Sequence, residues 1–371
     1  MVIRFAHQKI SQLSQKALTV ITLIIFTEFL QNLRVLLADP LNDDDPCEKF
    51  YGVQMDRVNE FASPYYPQKY PPNMECIRVI SAPRGHDIVV FFEDTFQIES
   101  SFEGITTKGA TASTAPCLND YIEARDGWYG FSPLIGRFCG NLLPSNELRA
   151  HSGAMWLHFH SDDALQYRGF RARYQFARSH TPSTTKRSAS ECYFAHSFSL
   201  DGYIDAAQFR SYYESNRIAS GDMAECVWRI EMPKKMTVSL FVEELSLGVL
   251  NDCTANSVEI YAGNTANSPL QRLCGTSSGN TMTNNHIVYI RMQAYGGAVA
   301  AMHVRILYSA FLTEDACYAN EGFRCGDGTC VPGVLVCNSR YNCLYRSDER
   351  SCHYGKSVIR KLTHDSRELK Y

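Results

Sequence analysis

The sequence has no excess of charge of either sign. Its 371 residues include 36 lysines and arginines and 39 aspartates and glutamates. A nucleic acid is therefore not an expected partner, because its binding requires a clustered basic surface. The sequence also contains no HExxH pattern and no CxxC pair, which excludes the common motifs of zinc proteases and small zinc modules. No Asn-x-Ser/Thr sequon is present, so N-linked glycans are not expected.

Long apolar runs are absent beyond the amino terminus. The uncharged stretch from Ala17 to Thr27 follows three basic residues. It is too short to span a bilayer but suits the apolar region of a secretory signal peptide. We therefore predict a cleaved signal peptide at residues 1–38, with an uncleaved anchor as the alternative. No later stretch is apolar enough to span a membrane and residues 353–371 form a polar tail, so the sequence as written predicts a secreted chain.

Cysteine, in contrast, is abundant. The chain has 14 cysteines, an even count in runs of four, four and six that indicates an oxidising compartment. The first two runs pair naturally in order, as Cys47–Cys76, Cys117–Cys139, Cys192–Cys226 and Cys253–Cys274. Because the spacings nearly repeat, we interpret these two runs as a duplicated unit.

Each of the two units contains short segments in which apolar and polar residues alternate. The apolar positions include Phe170, Ala172, Tyr174 and Phe176 in one segment and Val288, Ile290 and Met292 in another. Such a period of two, interrupted by Gly and Pro, predicts an all-β, jelly-roll-like antiparallel β-sandwich. Helix signals are nearly absent. We place the sandwiches at residues 47–176 and 192–311, joined by a Ser/Thr-rich linker at 177–191.

Several motifs give the duplicated unit a family resemblance. In the first copy they are Phe61–Pro67, Tyr70–Asn73, Asp120–Gly127, Arg137–Gly140 and Arg168–Phe170. With these motifs the unit resembles a CUB domain. The segment from Asp120 to Gly127, together with Phe131–Gly140, is similar to the first CUB domain of the neuropilin-and-tolloid-like (Neto) family.

The last six cysteines form a separate module at residues 317–352. Their spacing is C-x7-C-x4-C-x6-C-x5-C-x8-C, and Ser347-Asp348-Glu349 stands just before the last one. This pattern resembles the LDL-receptor class A repeat, and the order CUB, CUB, class A is also that of the Neto family. The resemblance implies the disulfides Cys317–Cys330, Cys325–Cys343 and Cys337–Cys352. So small a module has little apolar core and depends on its bridges and an ion.

The CUB resemblance also implies a calcium site in the first domain. Its expected ligands are the carboxylates of Glu99, Asp120 and Asp162 and the carbonyl of Ala164, because calcium prefers six to eight oxygen ligands. The alternative is three ordinary surface acids. Glu99, Asp120 and Asp162, with Tyr121, are also the expected contacts for a partner's Lys or Arg.

The equivalent positions of the second domain are Glu244, Asn256 and Tyr295. Only one of them is a carboxylate, so we predict no ion there. The surface of this domain must then act through its shape, its insertions or Arg291.

For the third module, the resemblance implies a second calcium site. The side-chain ligands would be Asn338, Asn342, Asp348 and Glu349, and the carbonyl ligands Leu335 and Arg340. Two of the family's acids are amides here, which halves the carboxylate charge. We expect weak calcium binding and a structural role for this module.

Three other patterns have ordinary explanations that we favour. Gly275–Gly279 fits the G-x-S-x-G string but follows a disulfide cysteine and precedes no helix pattern. His158 and His160 share one strand face and could chelate a metal, but such positions usually form the solvated side of a strand. A tryptophan placed like Trp128 more often packs within a loop than forms a binding hot spot.

The resemblance implies a function as well as a fold. Neto proteins are non-enzymatic auxiliary subunits of kainate-type ionotropic glutamate receptors, and a member would modulate gating, trafficking or synaptic clustering. The chain would pass through the secretory pathway and act outside the cell, or at the synaptic membrane if a transmembrane helix follows, as it normally does in the family. The alternative is a secreted adaptor that captures a growth factor or matrix protein through the first calcium site. A protease of the tolloid or complement type without its catalytic part is least favoured.

Overall fold

The computed structural model describes residues 45–53, 55–100, 117–141, 143–144, 147–179, 192–197, 199–249, 252–275, 279–314, 317 and 322–352. The expected signal peptide, the polar tail and residues 180–191 of the expected linker lie outside this set. The chain divides into two units, Met1–Glu48 and Lys49–Tyr371, and only residues 45–48 of the first are described. Within the described residues, no helix has the length and apolar character needed to cross a membrane.

The first half of the described chain forms a sandwich of two four-stranded sheets. Its strands are β1 (Glu60–Ala62), β2 (Met74–Ser81), β3 (His86–Gln97), β4 (Tyr121–Asp126), β5 (Leu134–Phe138), β6 (Leu148–Ala150), β7 (Ala154–Ser161) and β8 (Gly169–Arg178), preceded by the short helix α1 (Glu48–Tyr51). The sheet orders are β1-β8-β3-β6 and β2-β7-β4-β5, with antiparallel pairing throughout. Strand β8 extends two residues beyond the expected domain end at 176.

Large aromatic side chains fill the space between these sheets. Phe61, Phe159 and Phe170 are fully buried, and the ring of Phe170 contacts both of the others, with centroid distances of 6.1 and 5.9 Å. Each such burial contributes about 1.5–3 kcal/mol relative to exposure. The alternation expected along β8 is lost towards its end, where Phe176 is 37% exposed. At this end β8 pairs with β3 but no longer with β1.

The second sandwich repeats this architecture with one larger sheet. Its strands are β9 (Tyr193–Ser197), β10 (Asp201–Asp205), β11 (Met223–Glu231), β12 (Met236–Ser246), β13 (Asn256–Ala262), β14 (Gln271–Leu273), β15 (Gly279–Met282), β16 (Ile287–Tyr295) and β17 (His303–Leu312). The sheet orders are β10-β17-β12-β15 and β14-β13-β16-β11-β9. Strands β9 and β11 pair in parallel, which departs from the purely antiparallel sandwich expected from the sequence.

The second sandwich also contains a helix that the sequence patterns did not indicate. Helix α2 spans Ala206–Ser215, and Asp205 caps it by accepting a hydrogen bond from the Ala207 N–H at 2.7 Å. Its apolar contribution to the core is small, with Ala206 and Phe209 buried. So few apolar positions leave almost no helical period to detect. A second short helix, α3, spans Gly296–Val299.

The third module is a small hairpin with two 3₁₀ turns. Strands β18 (Gly322–Arg324) and β19 (Cys330–Pro332) pair in antiparallel fashion, and the turns lie at Gly333–Leu335 and Ser347–Glu349. Its core is shared with the second sandwich: Phe311 of β17 packs with Val331 and Leu335. Part of the burial that so small a module cannot supply by itself therefore comes from its neighbour.

Disulfides tie together each of the three domains. The structure contains Cys117–Cys139, Cys192–Cys226, Cys253–Cys274, Cys317–Cys330, Cys325–Cys343 and Cys337–Cys352, all of which are pairs expected from the sequence. Cys47 and Cys76 are also both disulfide-bonded.

Candidate functional site

Three carboxylates converge at one end of the first sandwich. One oxygen from each of Glu99, Asp120 and Asp162 lies within 4.8 Å of the others. Asp120 immediately precedes β4, and Asp162 immediately follows β7. Because β4 and β7 are antiparallel neighbours, the start of one strand and the end of the other meet at the same edge. Glu99 lies two residues beyond the end of β3, next to the bridge between Ile98 and Gly140.

Hydrogen bonds from several segments orient these carboxylates. The Tyr70 hydroxyl donates to Asp120 Oδ2 at 2.5 Å and accepts from the Glu99 backbone N–H at 3.2 Å. The Asp162 backbone N–H donates to Asp120 Oδ1 at 2.8 Å, and the Asn119 amide donates to Glu99 Oε1 at 2.9 Å. The cluster is therefore assembled by the fold and not by one local segment.

This carboxylate cluster concentrates negative charge where little water is present. Glu99 and Asp120 are only 6% and 1% exposed. Burial raises the pKa of the Asp120 carboxyl, and the negative charge of Asp162 also raises it, while the hydrogen bonds from Tyr70 and the Asp162 N–H act in the opposite direction. A cation among the carboxylates would offset the repulsion, and a set of oxygen ligands suits a hard ion. The residues present thus fit calcium, and Glu99, Asp120 and Asp162 would hold it.

Two further residues expected at this site have other contacts. The Ala164 carbonyl accepts a hydrogen bond from the Gln166 amide, and the Ala164 N–H donates to Asp162 Oδ1 at 2.8 Å. The ring of Tyr121 lies beneath the guanidinium group of Arg137, with 4.0 Å between the guanidinium carbon and the ring centroid. Tyr121 is therefore held by its own neighbours beside the carboxylates, and is not one of the cluster.

In the second sandwich, an amide closes the corresponding loop. Asn256 is fully buried, its Oδ1 accepts from the Val249 N–H at 2.8 Å and its Nδ2 donates to the Val249 carbonyl at 2.7 Å. Glu244 and Tyr295 are both exposed. Direct hydrogen bonds thus perform here the loop closure that an ion would perform in the first sandwich.

The two histidines of β7 do not simply form the solvated side of a strand. His158 is only 3% exposed. The interpretation of this residue as part of the solvated side of the strand is therefore wrong. Both imidazoles contact the Glu75 carboxylate on β2, with His160 Nδ1 at 2.7 Å from Oε1 and His158 Nε2 close to Oε2. Burial alone would raise the pKa of Glu75, but the hydrogen bonds with the two histidines outweigh it and hold the pKa at about 2. The hydrogen bond with Glu75 raises the pKa of His160.

In the third module, residues expected to bind calcium contact Asp201, the first residue of β10. The amide nitrogens of Asn338 and Asn342 donate to Asp201 Oδ2 at 2.9 and 3.1 Å, and the Arg340 guanidinium donates to Oδ1 at 2.7 Å. The amides that replace two of the family's acids therefore act as donors to a carboxylate of the neighbouring domain.

Two oxygens of this module keep the capacity to hold an ion. Asn342 Oδ1 and Asp348 Oδ1 are buried and have no hydrogen-bond partner among the described residues. Burial also raises the pKa of the Asp348 carboxyl. Both features suit a nearby cation, so Asn342 and Asp348 would hold a calcium ion.

Two other expected ligands of this module, Glu349 and Arg340, already accept hydrogen bonds. Glu349 Oε1 accepts from two backbone N–H groups at 2.7 and 3.2 Å, and the Arg340 carbonyl accepts from a third at 3.2 Å. Leu335 is 4% exposed and belongs to the shared core. An ion would have to compete with these contacts, and weak calcium binding by this module stays a prediction.

A separate group of contacts joins the two sandwiches. The Gly130 N–H donates to Thr265 Oγ1 at 2.8 Å, and the guanidinium carbon of Arg291 lies 4.2 Å from the ring centroid of Phe131. Arg291, which the sequence offered as a binding residue of the second domain, is thus held in this junction. Beside the junction, a cleft of about 510 Å³ is lined by both sandwiches, and Trp128 is part of its wall.

Residues 47–174 and 195–298 match the CUB domain family, and residues 315–352 match the low-density lipoprotein receptor domain class A family. "Neuropilin and tolloid-like protein 2" from Mus musculus is 32% identical over 312 residues, which are 82% of this chain and 55% of that protein. "Neuropilin and tolloid-like protein 1" from Mus musculus is 30% identical over 309 residues, 82% of this chain and 54% of that protein. The chain therefore spans about half the length of these relatives.

A similar solved structure is described as the crystal structure of the MASP-1 CUB2 domain bound to Ca2+. It is 32% identical, covers 31% of this chain and 89% of that chain, and superposes with a TM-score of 0.26.

Proposed function

Because this chain belongs to the CUB domain family and also carries a low-density lipoprotein receptor class A module, we propose that it binds a protein partner through a calcium-organised edge of its first CUB domain. The domain content and the similarity to neuropilin and tolloid-like proteins make it an extracellular binding protein. The finer proposal is that the partner is the extracellular part of a kainate-type glutamate receptor, so that the chain acts as an auxiliary subunit.

The convergence of Glu99, Asp120 and Asp162 is the observation that carries the binding proposal. Three carboxylates and one divalent cation leave a net negative charge at the edge of the sandwich. The ion fixes the loops that carry these residues, and the remaining carboxylate oxygens can accept hydrogen bonds from a Lys or Arg of the partner. Extracellular modules of this kind work with calcium dissociation constants of about 0.1–1 mM, so occupancy depends on the extracellular calcium level.

The assignment of the partner is supported by the order of the three modules and by the similarity to neuropilin and tolloid-like proteins over most of this chain. No separate feature of the described residues favours a growth factor or a matrix protein. Binding to a growth factor or a matrix protein is therefore the alternative outcome of the test.

The test is capture of the extracellular domains of kainate-type receptors by the purified chain, with calcium and with a chelator. We expect capture in calcium, loss of capture in chelator, and loss of capture by Asp120→Asn even in calcium. The matched control is Asp163→Asn, because Asp163 is exposed and lies outside the cluster. Capture that survives both chelation and Asp120→Asn would move the contact to another surface. No capture by the parent chain would contradict the receptor assignment and favour the adaptor.

A further inference from the structure

A second group of metal-ligating side chains lies on the first sandwich, apart from the carboxylate cluster. Glu75 on β2 pairs with His160 on β7, and His158 lies two residues earlier on the same face of β7. One ligand atom from each of the three lies within 4.8 Å of the others. The set contains two imidazole nitrogens and one carboxylate oxygen.

Aromatic neighbours fix the orientation of both imidazoles. The ring of Tyr121 stacks on His160, with centroids 4.9 Å apart and planes inclined by 28°. The ring of Trp156 lies against His158 at 5.4 Å, and the edge of Tyr121 approaches His158 at 5.6 Å. Because the rings are held from these sides, their nitrogens stay directed at Glu75 and the site does not have to be built when an ion arrives.

The site is closed on one side and open on the other. The side chain of His158 is 3% exposed, whereas those of His160 and Glu75 are 26% and 49% exposed. The protein thus supplies three ligands from a half-buried position and leaves room for a fourth from solvent or from a partner. Three protein ligands with one open position is an arrangement that zinc accepts in proteins.

We propose that Glu75, His158 and His160 form a binding site for a divalent transition-metal ion, and in particular for zinc. Imidazole nitrogen with a single carboxylate favours such ions, whereas calcium requires a set of oxygens. The two sites of the first sandwich therefore differ in the metal they select.

The alternative to a metal site is an ion-pair cluster in which Glu75 only orients the two histidines. This alternative predicts no selective affinity for zinc. It also predicts that Glu75 and His160 are no more important for metal binding than any other acid or histidine of the chain. The two possibilities therefore differ in a direct binding measurement.

The experiment is a calorimetric titration of the purified chain, free of any polyhistidine tag, with zinc chloride in buffer that contains millimolar calcium. Calcium keeps the carboxylate cluster from contributing to the zinc signal. We expect one selective zinc site and a loss of affinity of about tenfold or more in both Glu75→Gln and His160→Gln. The matched control is His303→Gln, because His303 is exposed on β17 and remote in sequence from the site. Its zinc affinity should equal that of the parent.

A second measurement uses only the parent chain, so its result does not depend on whether the variants fold. With nitrogen-labelled histidine, paramagnetic cobalt(II) should broaden the imidazole resonances of His158 and His160 first and leave that of His303 sharp. Absence of a zinc site in the parent would overturn the proposal. So would unchanged affinity in Glu75→Gln and His160→Gln, or uniform broadening of all histidines.

Discussion

Tyr70 links two residues of the candidate calcium site without being a ligand itself. Its hydroxyl donates to Asp120 and accepts from the backbone of Glu99. Burial raises the pKa of this hydroxyl, and the hydrogen bond to Asp120 raises it further, so the group remains a proton donor. At the residue scale, the geometry of the cluster thus depends on a neutral side chain as well as on the three acids.

Replacement of Tyr70 by Phe should weaken both the domain and the ion site. The Asp120 carboxylate would lose a donor in a buried position, which costs about 1–3 kcal/mol. We also expect calcium affinity to fall about tenfold, because loss of a group that orients a ligand typically has an effect of that size. Denaturant unfolding in chelator and a calcium titration measure the two effects. Tyr65→Phe is the control, since Tyr65 is 52% exposed, and equal calcium affinity in both variants would contradict the role given to Tyr70.

Glu259 is a buried acid whose ionised form is stabilised by its neighbours. It is fully buried, accepts from the Tyr261 hydroxyl at 2.7 Å and pairs with Arg291 at 3.0 Å. Burial alone would raise its pKa, but these contacts outweigh burial and lower it. A lowered folded pKa means that this contribution to stability is complete above the unfolded value of about 4.3 and is lost as the pH falls below it.

The Glu259→Gln variant should therefore differ from the parent in a pH-dependent way. At neutral pH we expect a lower free energy of unfolding than in the parent, because Arg291 loses a charged partner. The difference should shrink as the pH falls from the unfolded value of about 4.3 through the lowered pKa of Glu259 in the folded parent. Urea unfolding at a series of pH values, in the presence of chelator, measures this difference in the free energy of unfolding. The control is Glu214→Gln, which replaces an exposed acid. A difference that stays constant with pH would show that Glu259 acts by packing alone.

At the scale of elements, the sequence predicts what local patterns encode and misses what distant contacts create. Strand β16 shows the predicted alternation, with Val288, Ile290 and Met292 all buried. The three acids of the candidate calcium site stand at strand ends, where a family pattern could place them. Glu75 was missed because its relation to His158 depends on the register between β2 and β7, which alternation alone does not determine.

The packing of the third module against the second sandwich was the largest feature that the sequence did not predict at this scale. Its sequence suggests an isolated, bridge-dependent unit, but Phe311 of the second sandwich packs into its core. Asp201 contacts Asn338 across 137 residues of sequence. No spacing rule within the module contains this information, because the partner groups belong to another domain.

Asp201 should therefore control the docking of the third module. In Asp201→Ala, the amides of Asn338 and Asn342 and the guanidinium of Arg340 lose their shared acceptor. We expect faster hydrogen exchange across residues 322–352, with protection of the first sandwich unchanged. Asp163→Ala, which removes an exposed acid of the first sandwich, is the control. Unchanged exchange in Asp201→Ala would mean that the shared apolar core alone holds the module.

At the scale of the whole molecule, the junction between the two sandwiches leaves no space for a larger residue at Gly130. A Cβ atom built there would lie 2.0 Å from the Thr265 carbonyl oxygen. Around this point, the ring of Phe131 packs between Arg291 and Tyr261, with the two aromatic centroids 5.4 Å apart. The two domains thus meet through backbone as well as side-chain contacts.

The Gly130→Ala variant should open this junction while both domains remain folded. The added methyl group collides with backbone, which cannot rotate away as a flexible side chain would. We expect a larger radius of gyration in solution scattering and an unchanged spectrum of each sandwich core. Gly221→Ala is the control, because no atom lies within 4 Å of a Cβ built at Gly221. An unchanged radius in Gly130→Ala would show that the junction does not set the spacing of the domains.

The contact between Gly130 and Thr265 also has a consequence for the entropy of association. A partner that touches both CUB domains would find them already ordered, so it would not have to immobilise one relative to the other on binding. Two weak contacts on such a preorganised pair reinforce each other through effective concentration, and avidity can exceed either single affinity by about 10²–10⁴. Opening the junction should therefore weaken a bivalent partner far more than one that uses a single domain.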